Sequence, residues 1–483
     1  MKHARWLTIF LLCAMLASCG GTETPVSGDT TAAGTDDAVT TEDVIQPDLP
    51  DKTFDGEMIT IFQRAETKYL KDFYVEEATG DVLDDAIFAR NSAVAERFGV
   101  EFELILSAND YGNDAVNTIM AGDDAYDLVV PHARHAFKYA SQGLALDWND
   151  DLPYVDLDKP WWSDDARAAF SFSGKLLTMV GDISYMNLAA TNAMLFNKAM
   201  FDEYKLEYPY QTVLDGKWTF DAFAALAKQA AKDLNGDTKI DVENDQMGYI
   251  TGHWTGPIQV LYTADQRICR KNEQDEMYMT LNTEKTVEVF EKYFALLGEA
   301  GMYCHLENGY DLLNKAFTDG RAMFIDMSIG DTMNLRDMKD DFGIIPWPKF
   351  DETVDKYYNK VDGGSNLVVV PVTVKNTECV SAVLEAMAYE SYRNLIPIYY
   401  DVVLQTKYTR DEESPEMIDL IREGRVYDIG YFYDNTAFVG QINSIGRYLV
   451  HEADPNFTTF YAKYEAQALA KLEEINKTYR EME

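Results

Sequence analysis

Between residues 54 and 130 the apolar positions alternate between two spacings. Met58–Phe62 is a short β-branched and aromatic run that predicts a buried strand. Leu83, Ile87, Ala93, Val94 and Phe98 then fall at helical spacing and predict a helix over 83–98. Val100–Ile105 predicts a second strand and Val116–Met120 a further helix. Tyr126–Val130 predicts a third strand, closed by Pro131. Strands alternating with helices predict βαβ units and a parallel sheet, so the fold class expected is α/β.

The second half continues in the same style. Thr219 is a good helix N-cap with Asp221 in the first turn, and Phe223, Leu226, Ala227 and Ala230 give that helix an apolar face. Residues 284–298 predict a helix with Val287, Phe290, Tyr293, Phe294 and Leu297 on one side. Ala322–Ile325, Phe342–Ile345 and Asn366–Val370 predict short buried strands. Near the end, Phe457, Phe460, Tyr461, Tyr464, Ala468, Leu472, Ile475 and Tyr479 recur every three or four residues and predict a terminal helix. No internal repeat is visible, and residues 401–455 carry no readable motif. The chain has 483 residues, and single cores rarely grow past about 250–300, so more than one core is expected.

The first 50 residues follow another logic. Lys2, His3 and Arg5 form a basic start, and an apolar stretch runs from Trp6 to Leu16. That stretch is shorter than the ~20 residues a bilayer requires, but it fits a secretory signal. It ends in Leu16-Ala17-Ser18-Cys19-Gly20, which resembles a bacterial lipobox with Cys19 as the lipidated residue. Palmitate-type acylation at Cys19 would hold the mature chain on the extracellular face of the cytoplasmic membrane. Residues 20–53 are rich in Gly, Thr, Ser, Asp and Pro and cannot bury enough apolar surface to order themselves. They are expected to form a tether with a reach of about 30 Å.

Charge and cysteines narrow the classes further. With 82 acidic and 42 basic residues the net charge is −40, which repels phosphate backbones and excludes nucleic acid as a partner. Beyond the leader the cysteines are Cys269, Cys304 and Cys379, without the spacing of a zinc site or disulfide framework. A single Cys269–Cys304 bridge is left open. The 30 Tyr and 24 Phe fill cores, and they also build flat apolar walls for ligands.

Several blocks, in order, resemble the family 1 bacterial extracellular solute-binding proteins, the group that includes maltose-binding protein. They are Tyr126–Pro131, Gly143–Trp148, Leu152-Pro153, Trp161-Trp162, Gly174–Gly181, Ala193–Lys198 and Gly216–Thr219. Ala316–Phe324, Phe342–Pro348 and Gly363-Gly364 complete the series. The resemblance spans residues 54–400 and weakens beyond. It implies a periplasmic-binding-protein-like (type II) fold of two lobes with a ligand cleft. The lobes would comprise residues 54–183 with 365–400, and residues 184–364 with 401–483. Crossings are implied near Met179–Ala189 and Gly363–Val370. It also implies a monomer that closes on a carbohydrate and delivers it to ABC permease subunits.

A sugar presents flat apolar faces and many hydroxyls, so its site needs aromatic plates and planar polar groups. Trp254, in the Gly-flanked loop Gly252–Gly256, is the foremost stacking candidate. Arg64 follows the first predicted strand, and His132 and Arg134 follow the third, where ligands of α/β folds collect. Asp182 and Tyr185 lie in the implied first crossing. Asp326 and Ser328 follow Ala322–Ile325, Trp347 stands between two prolines, and Gly364 allows close backbone approach. Arg64, His132 and Arg134 also leave room for an anionic sugar or another acid.

Residues 233–245 resemble an EF-hand-like or dockerin-like calcium loop, with oxygens from Asp233, Asn235, Asp237, Asp241 and Asp245 and the Lys239 carbonyl. Thr238 replaces the usual sixth-position Gly, and Asn244 replaces the acid at position twelve. A structural Ca2+ is expected there, and no other cofactor. Two other classes share parts of this pattern. A secreted glycoside hydrolase would use paired carboxylates. However, no nucleophile elbow, phosphate loop or HExxH spacing is present, so catalysis is not expected. A ligand-sensing surface lipoprotein would share anchor and fold and differ in partner.

Overall fold

A computed structural model describes residues 45–405, 413–433, 442 and 444–482. The basic start, the apolar stretch, Cys19 and most of the tether lie outside the described residues. Packing begins before Phe54. Leu49 lies against the core, and the Tyr389 hydroxyl donates to Gln46 Oε1 at 2.8 Å.

The first predicted strands form as read. β1 (Met58–Gln63), β2 (Glu101–Leu106) and β3 (Leu128–Val130) make a parallel sheet in the order β2-β1-β3. The helix Val82–Phe98 connects the first two. Asp81 caps it by accepting from the amides of Leu83 and Asp84, and Gly99 ends it at φ 60°.

The second sheet was only partly foreseen. Its strands are β4 (Asn192–Asn197) and β5 (Met247–Gly252), then, past a hairpin of β6 (Cys269–Lys271) and β7 (Met277–Met279), β8 (Met302–His305), β9 (Ala322–Ser328) and β10 (Phe342–Ile345). They order as β10-β4-β9-β5-β8, with β5, β8 and β9 parallel and β4 antiparallel to both neighbours. A short pair, β11 (Asn359–Lys360) with β12 (Arg425–Val426), lies apart from both sheets. Thr219 caps the helix Phe220–Ala227 through the amide of Ala222, and Ala230 lies beyond its end. The terminal helix runs Phe457–Arg480, with Phe457, Tyr461, Ala468, Leu472, Ile475 and Tyr479 buried. The thiols of Cys269, Cys304 and Cys379 are free, so the Cys269–Cys304 bridge does not form. No described helix is long and apolar enough to cross a membrane.

Asn366–Val370 is not a continuous strand. It makes isolated bridges, Asn366 to His132 and Val369 to Val129 on one side, and Val368 to Met179 on the other. Its backbone groups are divided between two partners, so neither side gains a ladder. A second bridge, Thr191 to Val361, joins the same two segments further on.

Asp72 sits where these segments meet. It is buried, and its Oδ2 accepts from Ser184 Oγ at 2.5 Å and Asn366 Nδ2 at 2.7 Å. Burial, only partly offset by these donors, raises its carboxyl from 3.8 to about 6. Between those two values the folded chain holds a proton the unfolded chain has lost, so this group makes stability fall as pH rises through the window. Asp72→Asn keeps an acceptor for both donors and removes the charge. It is expected to stabilise the protein by about 2–3 kcal/mol at pH 8 and to leave it unchanged near pH 4 in urea unfolding.

Candidate functional site

A cavity of about 310 Å3 opens at the carboxyl ends of strands from both sheets. The segment after β1 contributes Glu66, Lys68 and Tyr69, and the one after β3 contributes His132 and Arg134. Trp254 and Thr255 follow β5, Tyr310 follows β8, and Ser328 and Asp331 come from the end of β9. Asp362, Gly364 and Tyr431 close the wall.

Tyr69, Trp254, Tyr310 and Tyr431 supply its aromatic surface. Trp254 is half-buried, with the Arg447 guanidinium 4.1 Å over its ring and Arg134 at 5.9 Å. Arg134 is buried and also lies 5.1 Å from the Tyr431 ring. It passes so close to Gly363 that a Cβ there would stand 2.4 Å from its side chain, which is why the sequence carries glycine. Gly252 makes the same allowance for the Tyr310 ring.

The charges are largely spent on one another. Lys68 pairs with Asp331 at 2.5 Å, and Lys360 beneath the wall pairs with Asp362 at 2.5 Å. Burial alone would raise the Asp362 carboxyl, but Lys360 and the Gly364 amide hold it well below the usual range. His132 is held neutral by burial and by the cations Arg64 and Arg134, and its Nδ1 accepts from the Arg134 amide at 3.3 Å. Arg64 is fully buried, stacks 3.5 Å from the Tyr69 ring and donates to the Gly364 carbonyl.

His132, Arg134, Trp254, Ser328 and Gly364 of the expected ligand residues thus meet at one cavity, with Arg64 directly behind it. Asp326 lines an adjoining cavity. The other three lie elsewhere. Trp347 is fully buried in the core, 6.4 Å from the Tyr249 ring. Asp182 pairs with Arg422 at 3.6 Å, and Tyr185 packs 4.9 Å from the Tyr399 ring. Sequence reasoning missed Glu66, Lys68, Tyr69, Thr255, Tyr310, Asp331, Asp362 and Tyr431. A search extending a few residues past each strand end would have found Glu66–Tyr69 and Asp331. Nothing in the sequence marks Tyr431.

A larger concavity, about 430 Å3, lies beside the β6–β7 hairpin. Two of its three arginines, Arg267 and Arg270, pair with Asp265 at 2.9 Å, and it touches no strand end of either main sheet. The smaller cavity is the better ligand site.

In the loop 233–245 the acidic side chains staple their own turn. Asp233 accepts from the amides of Gly236 and Thr238, Asp237 from Lys239, and Asp241 from Asn244. Asn235 Oδ1 accepts the Asp237 amide. Asp245 is buried and accepts from Leu234 and Asp241. Thr238 takes the left-handed conformation, φ 72°, that glycine adopts in such loops. Among the described residues no three His, Cys, Asp or Glu side chains converge as a metal site.

A family model described as bacterial extracellular solute-binding protein matches residues 91–415. The chain belongs to that family. Its members bind solutes rather than transform them, so the binding protein is not an enzyme. Among solved structures it is similar to the ABC substrate-binding protein Lmo0181 from Listeria monocytogenes in complex with cycloalternan. The TM-score is 0.54 and the identity 17%, over 88% of this chain and 99% of that one. It is similar also to the maltose/maltodextrin-binding domain MalE from Bdellovibrio bacteriovorus bound to maltotriose, at TM-score 0.52 and 16% identity over 87% and 98% of the two chains. A third likeness is UgpB from Mycobacterium tuberculosis in complex with glycerophosphocholine, at TM-score 0.55 and 17% identity over 80% and 95%. These likenesses establish the type II periplasmic-binding fold for the binding protein. A search of curated proteins finds no match.

Proposed function

We propose that this protein is the substrate-binding subunit of an ABC importer, anchored through lipid at Cys19 outside the cytoplasmic membrane, and that its ligand is a carbohydrate. The observation that carries the ligand class is the cavity itself. Four aromatic rings wall it, and its carboxylates are each paired: Asp331 with Lys68, Asp362 with Lys360, and Glu66 with Arg64 at 3.5 Å. With those cations engaged and Arg134 lying against the Trp254 and Tyr431 rings, the aromatic walls favour a hydroxyl-rich solute over an acid. Its volume lies at the low end for ligand sites, which favours a mono- or short oligosaccharide. MalE and Lmo0181, which share the fold, were solved with such ligands.

Closure would turn on the paired segments that bridge Met179 to Val368 and Thr191 to Val361. One lobe would carry β1–β3 and the other the five-stranded sheet. A ligand touching strand ends of both favours the closed form by its differential affinity, and the permease subunits would read that form. A thermal-shift screen over a sugar library tests the reading. One sugar class is expected to raise the melting temperature by several degrees. Stabilisation by peptides or polyamines alone would overturn the carbohydrate assignment.

The loop of Asp233, Asn235, Asp237, Lys239, Asp241 and Asp245 offers only oxygen donors, the ligand type of Ca2+. A structural calcium there requires its carboxylates to leave their amides. Titrating calcium into chelator-treated protein is expected to release heat and raise the melting point. Silence in both removes the metal.

A further inference from the structure

Beside the main cavity, and sharing Thr255, Tyr310 and Asp331 with it, lies a smaller one of about 160 Å3. Asp311, Asn314, Asp326, Asp331 and Asn334 supply most of its polar lining, and no Lys, Arg or His lines it among the described residues. Of its three carboxylates, Asp331 is neutralised by Lys68 at 2.5 Å. Asp311 stands exposed in the first turn of the helix Asp311–Thr318.

Asp326 is different. It is buried, at 2% exposure, near the carboxyl end of strand β9. Its Oδ1 accepts from the Tyr249 hydroxyl at 2.9 Å, and its Oδ2 is buried without a hydrogen-bond partner. Lys360 does not supply one, because its ammonium is spent on Asp362 at 2.5 Å and on the Trp254 carbonyl at 3.0 Å. Burial raises the Asp326 carboxyl from 3.8 to about 6, although the nearby hydroxyls of Thr251, Tyr249 and Thr255 and the charge of Lys360 act to lower it. An unsatisfied buried carboxylate oxygen is costly, and a charged donor relieves it best.

We propose that this side cavity is a subsite for a protonated amine, so that the ligand is a sugar carrying a free amino group. The ring would occupy the larger space between the aromatic walls, and the ammonium would reach the Asp326 oxygen. This rests on the carbohydrate reading above and narrows it.

The test is calorimetric titration of the whole mature protein at pH 7.5. The probes are glucosamine, galactosamine, mannosamine and the β-1,4-linked glucosamine dimer. Each is compared with its neutral parent and its N-acetyl derivative. The amine-bearing probe that binds is expected to do so at least about tenfold more tightly than both comparators. Asp326→Asn keeps the Tyr249 contact and is expected to cut that preference to within about twofold. Asp311→Asn is expected to reduce it partially, and it serves if the first variant melts below wild type. A neutral parent that binds as well as its amine overturns the subsite and leaves the carbohydrate reading standing. Silence from these probes, with another sugar of the library binding, does the same. Silence from the entire library overturns the carbohydrate reading and this inference with it.

Discussion

Trp254→Ala is expected to weaken sugar binding about a hundredfold while leaving the fold intact. The ring stands at the end of β5 in the cavity wall, half in solvent, with Arg447 at 4.1 Å and Arg134 at 5.9 Å. It makes one polar contact, Nε1 to Asn308 Oδ1 at 3.3 Å. Truncating a buried tryptophan anchor in a binding site costs about 2–4 kcal/mol, or roughly 30- to 1,000-fold in affinity. The fold depends on it less, because the fully buried tryptophans are Trp148, Trp161, Trp218 and Trp347. Calorimetric titration of the variant with the sugar found by screening measures the effect. A loss smaller than about threefold at unchanged melting temperature would mean that Trp254 is no ligand wall.

Asp362→Ala is expected to destabilise the protein by about 3–5 kcal/mol, the largest stability effect in the site. Its partner Lys360 has a side chain only 1% exposed. Without Asp362 the ammonium keeps the Trp254 carbonyl at 3.0 Å and the Tyr431 hydroxyl at 3.4 Å, and neither carries a charge. Removing one member of a buried pair strands the other, and that penalty exceeds what the pair contributes intact. The double variant with Lys360→Met is therefore expected to recover most of the loss in urea unfolding. The pH dependence has a definite sign. The folded Asp362 carboxyl titrates below its unfolded value, so its stabilisation is present above the ordinary carboxylate range and fades as pH falls toward the folded value. A variant as stable as wild type at pH 7 would show that Lys360 is not stranded.

The elements that were legible share one property: their signal is local. β1, β2 and β3 announce themselves by β-branched runs, and the helix Phe220–Ala227 by the Thr219 cap. The terminal helix shows its period over 24 residues. β4 and β5 were passed over as strands because Asn192–Asn197 and Met247–Gly252 are buried on both faces and show no alternation. The site divides in the same way. Trp254, His132, Arg134 and Ser328 sit at or just past strand ends, where a topological rule reaches them. Trp347 has the same flanking prolines as an exposed turn, yet it is packed in the core.

The sequence alone determined an α/β chain with the three strands of the first sheet and two of the second, too acidic for nucleic acid, with an aromatic and polar supply suited to a sugar. Only the tertiary structure decided which of those groups share a cavity, that Asp362 answers Lys360, and that Asp326 keeps an unanswered oxygen. The reason is separation along the chain. The cavity draws on residues from Glu66 to Tyr431, and contacts between such distant segments depend on how whole sheets dock, which no local pattern encodes.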